Sequence, residues 1–521
     1  MLPLPVRKLL LALCLWGTAA LALAQLQWFE AGRPTADAMH AAQVLAAAGE
    51  HGLEPADYAA PALQARLTAA AQDPVPGDVE QRVLGQALTA ALQRYLSDLQ
   101  RGRVDPRQFH AGFNLPRRRD SDTLSLLRDA LAARRLPQAL RQAAPALPMY
   151  EGLRLALARY RALAGHPAWS SRLPPLPARK LVPGQPYPGL RVLAQRLEAL
   201  GDLTPGYDLP ERFDAVLVAA LRAFQERHGL TPDGVLGAGT LRELEVVPAD
   251  RARQIELAME RLRWTPLMQG PRVIAVNIPE FVLRAYEVGD NRVDVRLTMK
   301  VIVGKALRTR TPLLTEAMRF IEFSPYWNVP PSIARDETVP RLRRDPGYLE
   351  REGLEFVTAS GKVVTTLAPS HLDAVLRGSW RIRQRPGPQN ALGGIKFVFP
   401  NNANIYLHDT PARRLFERER RDFSHGCIRL EAPVALAQFV LRDEPGWAEE
   451  RIREAMGTGV STTVRLQRPV PVLIAYSTVV ARAGTVYFFR DLYRHDAVLD
   501  RALRQRAAAL PPLAGRAGPV P

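Results

Sequence analysis

The hydrophobic period of this chain changes near Arg272, and that change sets what it can fold into. Between about residues 36 and 165, alanine and leucine recur at helical spacing with almost no strand-like alternation. From Arg272 onward, Val273-Ile274-Ala275-Val276-Asn277, Val282-Leu283-Arg284-Ala285-Tyr286 and the run from Val293 to Gly304 are rich in β-branched residues and show period-two stretches. At 521 residues the chain is too long for one core and divides into roughly two to four domains. The reading is an α+β multidomain chain, helices first and a sheet later.

Within the helical part, Gly52-Leu53-Glu54-Pro55 and Gly102-Arg103-Val104-Asp105-Pro106 stop one helix and start another, through the left-handed freedom of glycine and the fixed φ of proline. Residues 25–180 hold no catalytic constellation and read as a helical scaffold. Pro174, Pro175, Pro177, Pro183, Pro186 and Pro188 mark a boundary. Beyond it, Leu190, Leu193, Leu197 and Leu200 recur at helical spacing, a second amphipathic segment covers 216–228, and a third helix is predicted at about 239–244. Phe224-Gln225 and Pro232-Asp233-Gly234 lie between the last two; structurally, Phe224 suits a core and Gly234 a positive-φ turn.

In the β-rich part, further strands are predicted at 320–323, 395–399 and 405–407, and a helix at 433–441 with Pro433 in its first turn. That helix starts six residues after Cys427, too far for its dipole to activate the thiol directly. The stretch 331–385 fits no compact sheet connection. It is expected to be a helical insertion, with a helix over 332–344, a turn at Pro346-Gly347, and a basic run in which Arg381, Arg383 and Arg385 share one face if extended. Long excursions of this kind are often lids or binding loops; a solvated edge strand kept basic against aggregation is the plainer reading.

Arg7 and Lys8, the apolar stretch from Leu9 to about Ala20, and Ala22-Leu23-Ala24 before Gln25 form the pattern of a cleaved export signal over 1–24. The apolar stretch is short for a membrane span, and an uncleaved inner-membrane anchor stays open. Cys14 lies inside it, with Leu13 where a lipidation site needs a small residue. Without the signal, one cysteine remains. Cys427 sits in Ser424-His425-Gly426-Cys427-Ile428-Arg429. A lone thiol in an oxidising compartment risks mispairing, so keeping it calls for a chemical reason. A free thiol ionises at about 8.5, and a neighbouring imidazole or cation makes it a nucleophile near neutral pH.

His408 precedes Cys427 by 19 residues, at the end of Ile405-Tyr406-Leu407-His408. A buried cysteine alone is commonly a small hydrophobe and a lone histidine is usually structural; together at this spacing they read as nucleophile and base. A zinc site from His408, His425 and Cys427 lacks a second cysteine and a ligand pair at finger spacing, so neither metal nor cofactor is expected.

A histidine ending a strand, followed at this spacing by Ser-His-Gly-Cys-x-Arg, resembles the L,D-transpeptidases of bacterial cell-wall synthesis with a YkuD-type catalytic domain. Ser324-Pro325-Tyr326-Trp327-Asn328-Val329-Pro330-Pro331, Arg343-Arg344-Asp345-Pro346-Gly347-Tyr348 and Pro386-Gly387-Pro388-Gln389-Asn390-Ala391-Leu392-Gly393 resemble their large YcbB-like branch. The similarity runs from about residue 30 to about 497 and is strongest over 273–441. The segment around Phe224-Gln225 and Pro232-Asp233-Gly234 resembles the three-helix peptidoglycan-binding domain. Such a fold can persist after binding is lost.

The resemblance implies that His408 takes the proton of Cys427, whose thiolate attacks the carbonyl joining a diamino acid to the terminal D-alanine of a tetrapeptide stem. D-Alanine leaves, and an amine of a second stem resolves the thioester as a 3→3 crosslink; carbapenems would trap the same sulfur. Backbone N–H groups of Gly426 and Cys427 are the expected oxyanion donors. His425 would assist electrostatically or shape the turn, Arg429 would brace the loop, and Tyr406 would line the pocket. Arg381, Arg383 and Arg385 would meet substrate carboxylates from a capping insertion. A carboxypeptidase or other wall hydrolase on the same fold, with water resolving the thioester, stays open. A noncatalytic wall-binding scaffold would need no intact motif.

The expected order is a signal peptide over 1–24, a scaffold over 25–180, a peptidoglycan-binding-like module over 186–246, a catalytic domain over 270–468 with its insertion over 331–385, a C-terminal segment over 469–500, and a tail over 501–521 that reads as disordered at its end. The formal charge is +18, from 70 Lys and Arg against 52 Asp and Glu. Such a surplus suits an anionic partner. Export weighs against nucleic acid and leaves an anionic membrane or an acidic polymer; the resemblance implies peptidoglycan, in the periplasm, with inner-membrane association and protein partners open. Scattered arginine also fits a plain solvated surface.

Overall fold

The computed structural model describes residues 26–75, 77–110, 122–265, 270–289 and 292–510. The export signal, Cys14 and the end of the tail lie outside the described residues.

The N-terminal part is helical, as its spacing predicts. Helix Asp78–Arg101 buries Leu84, Leu88, Ala91, Leu92, Tyr95 and Leu99, a stripe three and four residues apart. At its end Gly102 has φ +83°, and a Cβ there would collide with Trp264 Nε1. This close approach brings the chain against helix Pro248–Trp264, where Glu260 receives the Arg103 backbone N–H and, at 2.8 Å, Arg263. Both partners of the Arg263–Glu260 pair are fully buried and Arg103 is the second cation on Glu260, so loss of Glu260 would leave two buried cations without their carboxylate, at a cost of about 3–5 kcal/mol.

In the three-helix module, Leu190–Leu200, Ala215–Arg227 and Ala238–Glu245 surround Phe224. Gln225 is buried and saturated. Its amide nitrogen donates to Asp233 Oδ1 (3.0 Å), the Val235 carbonyl (3.0 Å) and Thr240 Oγ1 (3.1 Å), while its oxygen accepts from Gly234 N (2.9 Å). The Phe-Gln and Pro-Asp-Gly signature therefore builds this module's core and turn, with Gly234 at φ +74°.

The β-rich domain is a nine-stranded sheet. Its order is Asp422–Ser424, Arg292–Gly304, Ile428–Leu430, Leu407–His408, Ile395–Val398, Leu314–Phe323, Thr462–Ala475, Arg272–Asn277 and Val282–Gly289. Arg292–Gly304 also pairs with Val282–Gly289, so the sheet closes on itself. Closure leaves the run Val301-Ile302-Val303 buried, consistent with its unbroken apolar character. Next to the site, Leu407–His408 and Ile428–Leu430 run parallel, with Leu407 opposite Ile428 and His408 opposite Arg429. The strand read over 405–407 is thus shifted to Leu407–His408.

The insertion departs from the helical expectation. It begins earlier, at Trp327, and carries its own antiparallel sheet in the order Val363–Val364, Leu354–Val357, Arg381–Gln384 and Trp327–Asn328. Helix Pro369–Leu376 and the helical run of Pro331–Ile333, Ala334–Thr338 and Val339–Arg344 belong to the same unit, and Leu342, Leu372, Phe356 and Ile382 form its core. The middle turn of that run is π-helical. Tertiary packing won here: short segments such as Leu354–Val357 show no clear alternation and become strands by pairing with Arg381–Gln384.

The C-terminal helix His495–Ala509 extends into the stretch read as tail. Arg506 on it donates to the buried Asp98 of the scaffold at 2.6 Å. Among the described residues no helix is long and apolar enough to cross a membrane.

Candidate active site

Cys427 lies just before strand Ile428–Leu430, at the end of a turn built by side chains that bond to its backbone. Thr309 Oγ1 donates to the Ser424 carbonyl (2.9 Å), Thr311 Oγ1 to the Gly426 carbonyl (2.7 Å), and Ser424 Oγ to the Cys427 carbonyl (2.5 Å). Gly426 has φ +120°, and a Cβ would come within 3.3 Å of Ile405 Cδ1. Glycine is what this turn admits. Its N–H is already spent on Ser424 Oγ at 3.1 Å. In the resting turn, where an oxyanion donor was expected, that N–H holds the turn.

The thiol donates to the Asn404 carbonyl, with the sulfur 3.6 Å from the oxygen. Asn404 is held at φ +52° by the neighbouring Asn401, whose side chain bonds Ile405 from both sides, accepting its N–H (3.0 Å) and donating to its carbonyl (2.7 Å). Tyr406 interacts with the sulfur through its side chain and its backbone, and Trp327 acts on the Tyr406 hydroxyl in turn. Burial pushes the Cys427 thiol up, against which the Tyr406 bonds, Lys396 and Arg429 pull it down. The resting group is thus a thiol rather than a preformed thiolate.

His408 is buried, its Nδ1 at 2.5 Å from the Asp409 carbonyl. A carbonyl only accepts, so Nδ1 carries the hydrogen and Nε2 is left with its lone pair. Burial, with Arg429 and Lys396 nearby, lowers its pKa to about 3. The Tyr406 and His408 rings lie 5.7 Å apart, and Lys396 Nζ sits 4.7 Å over the Tyr406 ring while pairing with Glu322 at 3.0 Å. Asp409 is itself fixed, accepting from Gly394 N (3.0 Å), Thr410 N (2.7 Å) and Arg413 (2.5 Å). A neutral, oriented imidazole and a half-buried thiol on adjoining segments of the sheet are the parts of a base and a nucleophile, and at rest the thiol bonds the Asn404 carbonyl.

The remaining expected residues divide. Arg429 lies beside His408 and Cys427, and its Nε is buried without a hydrogen-bond partner among the described residues. It therefore does not brace the loop through that atom. His425 turns outward to Glu337 of the insertion, Nε2 to Oε1 at 2.7 Å. Arg381, Arg383 and Arg385 do share the face opposite buried Ile382 and Gln384, but Arg383 is committed to Glu355 at 2.5 Å and stacks 4.1 Å over Tyr326. It is an internal strut of the insertion; Arg381 and Arg385 remain exposed. Trp327, Asn404, Lys396 and Glu337 were not legible as site residues, because each reaches the site through tertiary packing. Among the described residues no group of three or more His, Cys, Asp or Glu is placed to hold a metal. A separate cavity of about 630 Å³, lined by Leu155, Arg159, Tyr286, Leu473 and Ala481 among others, touches neither Cys427 nor His408; the chemistry places the site elsewhere.

Comparison with known families places matches along the chain. Residues 271–472 match the "L,D-transpeptidase catalytic domain" family, 22–157 match a "Scaffold domain", and 187–244 match a "Putative peptidoglycan binding domain". The chain thus carries a YkuD-type catalytic domain together with a peptidoglycan-binding type module. A "Putative L,D-transpeptidase" of Haemophilus influenzae is 31% identical over 258 residues, 49% of this chain and 51% of the relative. The chain therefore spans about half the length of the curated relative it matches. Among solved structures, an L,D-transpeptidase from Xylanimonas cellulosilytica is 17% identical with TM-score 0.18, covering 58% of this chain and all of that one. A fused Zn-dependent amidase/peptidase/peptidoglycan-binding protein of Clostridium acetobutylicum is 11% identical with TM-score 0.17, covering 57% of this chain and 99% of that one. Scores this low carry no argument.

Proposed function

We propose that this protein is a periplasmic L,D-transpeptidase that forms 3→3 peptidoglycan crosslinks through a thioester on Cys427. The observation that carries the reading is that a neutral His408 ends the strand parallel to the one Cys427 leads into from its glycine-dependent turn, with Leu407 opposite Ile428 and His408 opposite Arg429. His408 takes the thiol proton, and sulfur attacks the carbonyl between the diamino acid and D-alanine of a tetrapeptide stem. The C–N bond breaks, the proton passes to the leaving amine, and D-alanine departs. The amine of a second stem then attacks the thioester carbon; a C–N bond forms, the C–S bond breaks, and sulfur regains a proton. With the Gly426 N–H occupied, the N–H of Cys427 is the backbone donor assigned to the tetrahedral oxyanion. Arg429, with a buried unpartnered Nε, and the exposed Arg381 and Arg385 supply positive charge for stem carboxylates.

Purified protein incubated with disaccharide-tetrapeptide, with products read by mass spectrometry, tests this. Crosslinked dimer with released D-alanine is expected. Tripeptide alone would make the protein a hydrolase on the same fold, and unchanged substrate would remove the reading.

A further inference from the structure

The contact between His425 and Glu337 joins two parts of the chain 88 residues apart, the nucleophile turn and the insertion. Glu337 lies on the π-helical turn Ala334–Thr338; such wide turns interrupt helices mostly where function re-aims a side chain. Its environment is unusual for this protein. Basic residues outnumber acidic ones by 70 to 52, and most ion pairs in the structure join a carboxylate to arginine. The neighbouring Arg335 is committed to Asp336 at 2.8 Å. Among the described residues, the ion-pair partner of Glu337 is His425 alone, through Oε1. The Glu337 side chain is still 55% exposed, so the carboxylate keeps acceptor capacity toward the solvent side of the turn.

The second half of the reaction, on the reading above, brings a primary amine to the thioester, and in water near neutral pH such an amine is an ammonium. The charged groups that act on the sulfur, Lys396 and Arg429, are cations. They suit a donor stem bearing carboxylates and repel an incoming ammonium. A carboxylate bonded to His425, which stands two residues before the nucleophile, offers the opposite preference. Resting on that reading, we propose that Glu337, held by His425, is the recognition group for the ammonium of the acceptor stem. The insertion thereby supplies the acceptor end of the cleft, and amine is favoured over water as the group that resolves the thioester.

The test separates charge from structure. Glu337→Gln keeps an amide oxygen that accepts from His425 Nε2–H but removes the anion. In the full-length protein, the first-turnover burst of D-alanine release from disaccharide-tetrapeptide measures the first half-reaction, and the ratio of crosslinked dimer to tripeptide measures the second. Glu337→Gln is expected to leave that burst within about twofold while raising the acceptor KM about tenfold, the size of one charged hydrogen bond, and shifting product toward tripeptide. Glu337→Asp should recover part of the loss, and the wild-type acceptor KM should rise with salt while that of Glu337→Gln stays flat. An unchanged dimer-to-tripeptide ratio, or a parallel fall in both half-reactions, would overturn the proposal: the first makes the ion pair incidental, the second makes it structural. Absence of D-alanine release from the wild type would instead remove the underlying reading.

Discussion

Tyr406 lowers the thiol of Cys427 through both its side chain and its backbone, and Cys427 raises the Tyr406 hydroxyl in turn. Both contributions favour the thiolate in a place where burial opposes it. Tyr406→Phe removes one of them and leaves the ring. It should slow alkylation of Cys427 by iodoacetamide at pH 7 about tenfold, with little change in thermal stability. Equal alkylation rates would show that the hydroxyl does not hold the sulfur.

The pH dependence of acylation has a definite sign. His408 is depressed to about 3 and the thiol is raised, so thiol and neutral imidazole persist together across the ordinary range. Protonation that disables the base sets in only far below the usual histidine value. Carbapenem acylation of folded protein should therefore show no acid limb near 6.5. His408→Ala should slow it at pH 7 by about a hundredfold or more, with partial recovery at alkaline pH as hydroxide supplies thiolate. A wild-type limb at 6.5, or no loss in the variant, would assign the base elsewhere.

Gly426 tests the turn itself. At φ +120° with Ile405 Cδ1 3.3 Å from any added Cβ, Gly426→Ala should cost about 1–2 kcal/mol of stability and a larger factor in acylation, because the Cys427 N–H is re-aimed. Urea denaturation and acylation rates on one preparation distinguish the two effects. Loss of stability without loss of rate would release the turn from its catalytic role.

Much of this arrangement was legible in order along the chain. The texture change at Arg272 coincides with the first strand of the closed sheet, Arg272–Asn277, because half-buried strands need β-branched alternation. The local motif brought Cys427, Gly426 and His408 to one place, since adjoining strands carry them. What sequence missed comes from long-range pairing. Arg383 looked like a free cation because its partner Glu355 is 28 residues earlier on the neighbouring strand. Leu354–Val357 gave too few residues for a period to appear. Glu337 and Trp327 reach the site only because the insertion folds as a unit around Phe356 and Ile382.

Stability should fall with acid before carboxylates titrate. His51 and His110 are lowered to about 4, and His408 and His495 to about 3, in each case chiefly by burial. The unfolded chain takes up these protons below about 6.5 while the folded one resists, so their contribution is fully present above that value and is lost as pH falls toward 4 and 3. Tm should drop by several degrees, on the order of 5, between pH 7.5 and pH 5. The slope should be shallower in His495→Gln. A Tm independent of pH over this range would contradict the buried, neutral state of these rings.

The most direct measurement is the mass of the intact protein after brief exposure to disaccharide-tetrapeptide without acceptor. The account predicts an adduct equal to the donor minus D-alanine, located by peptide mapping on Cys427, discharged by hydroxylamine and absent from Cys427→Ala. Crosslinking or D-alanine release by Cys427→Ala, or an adduct on any other residue, would contradict it.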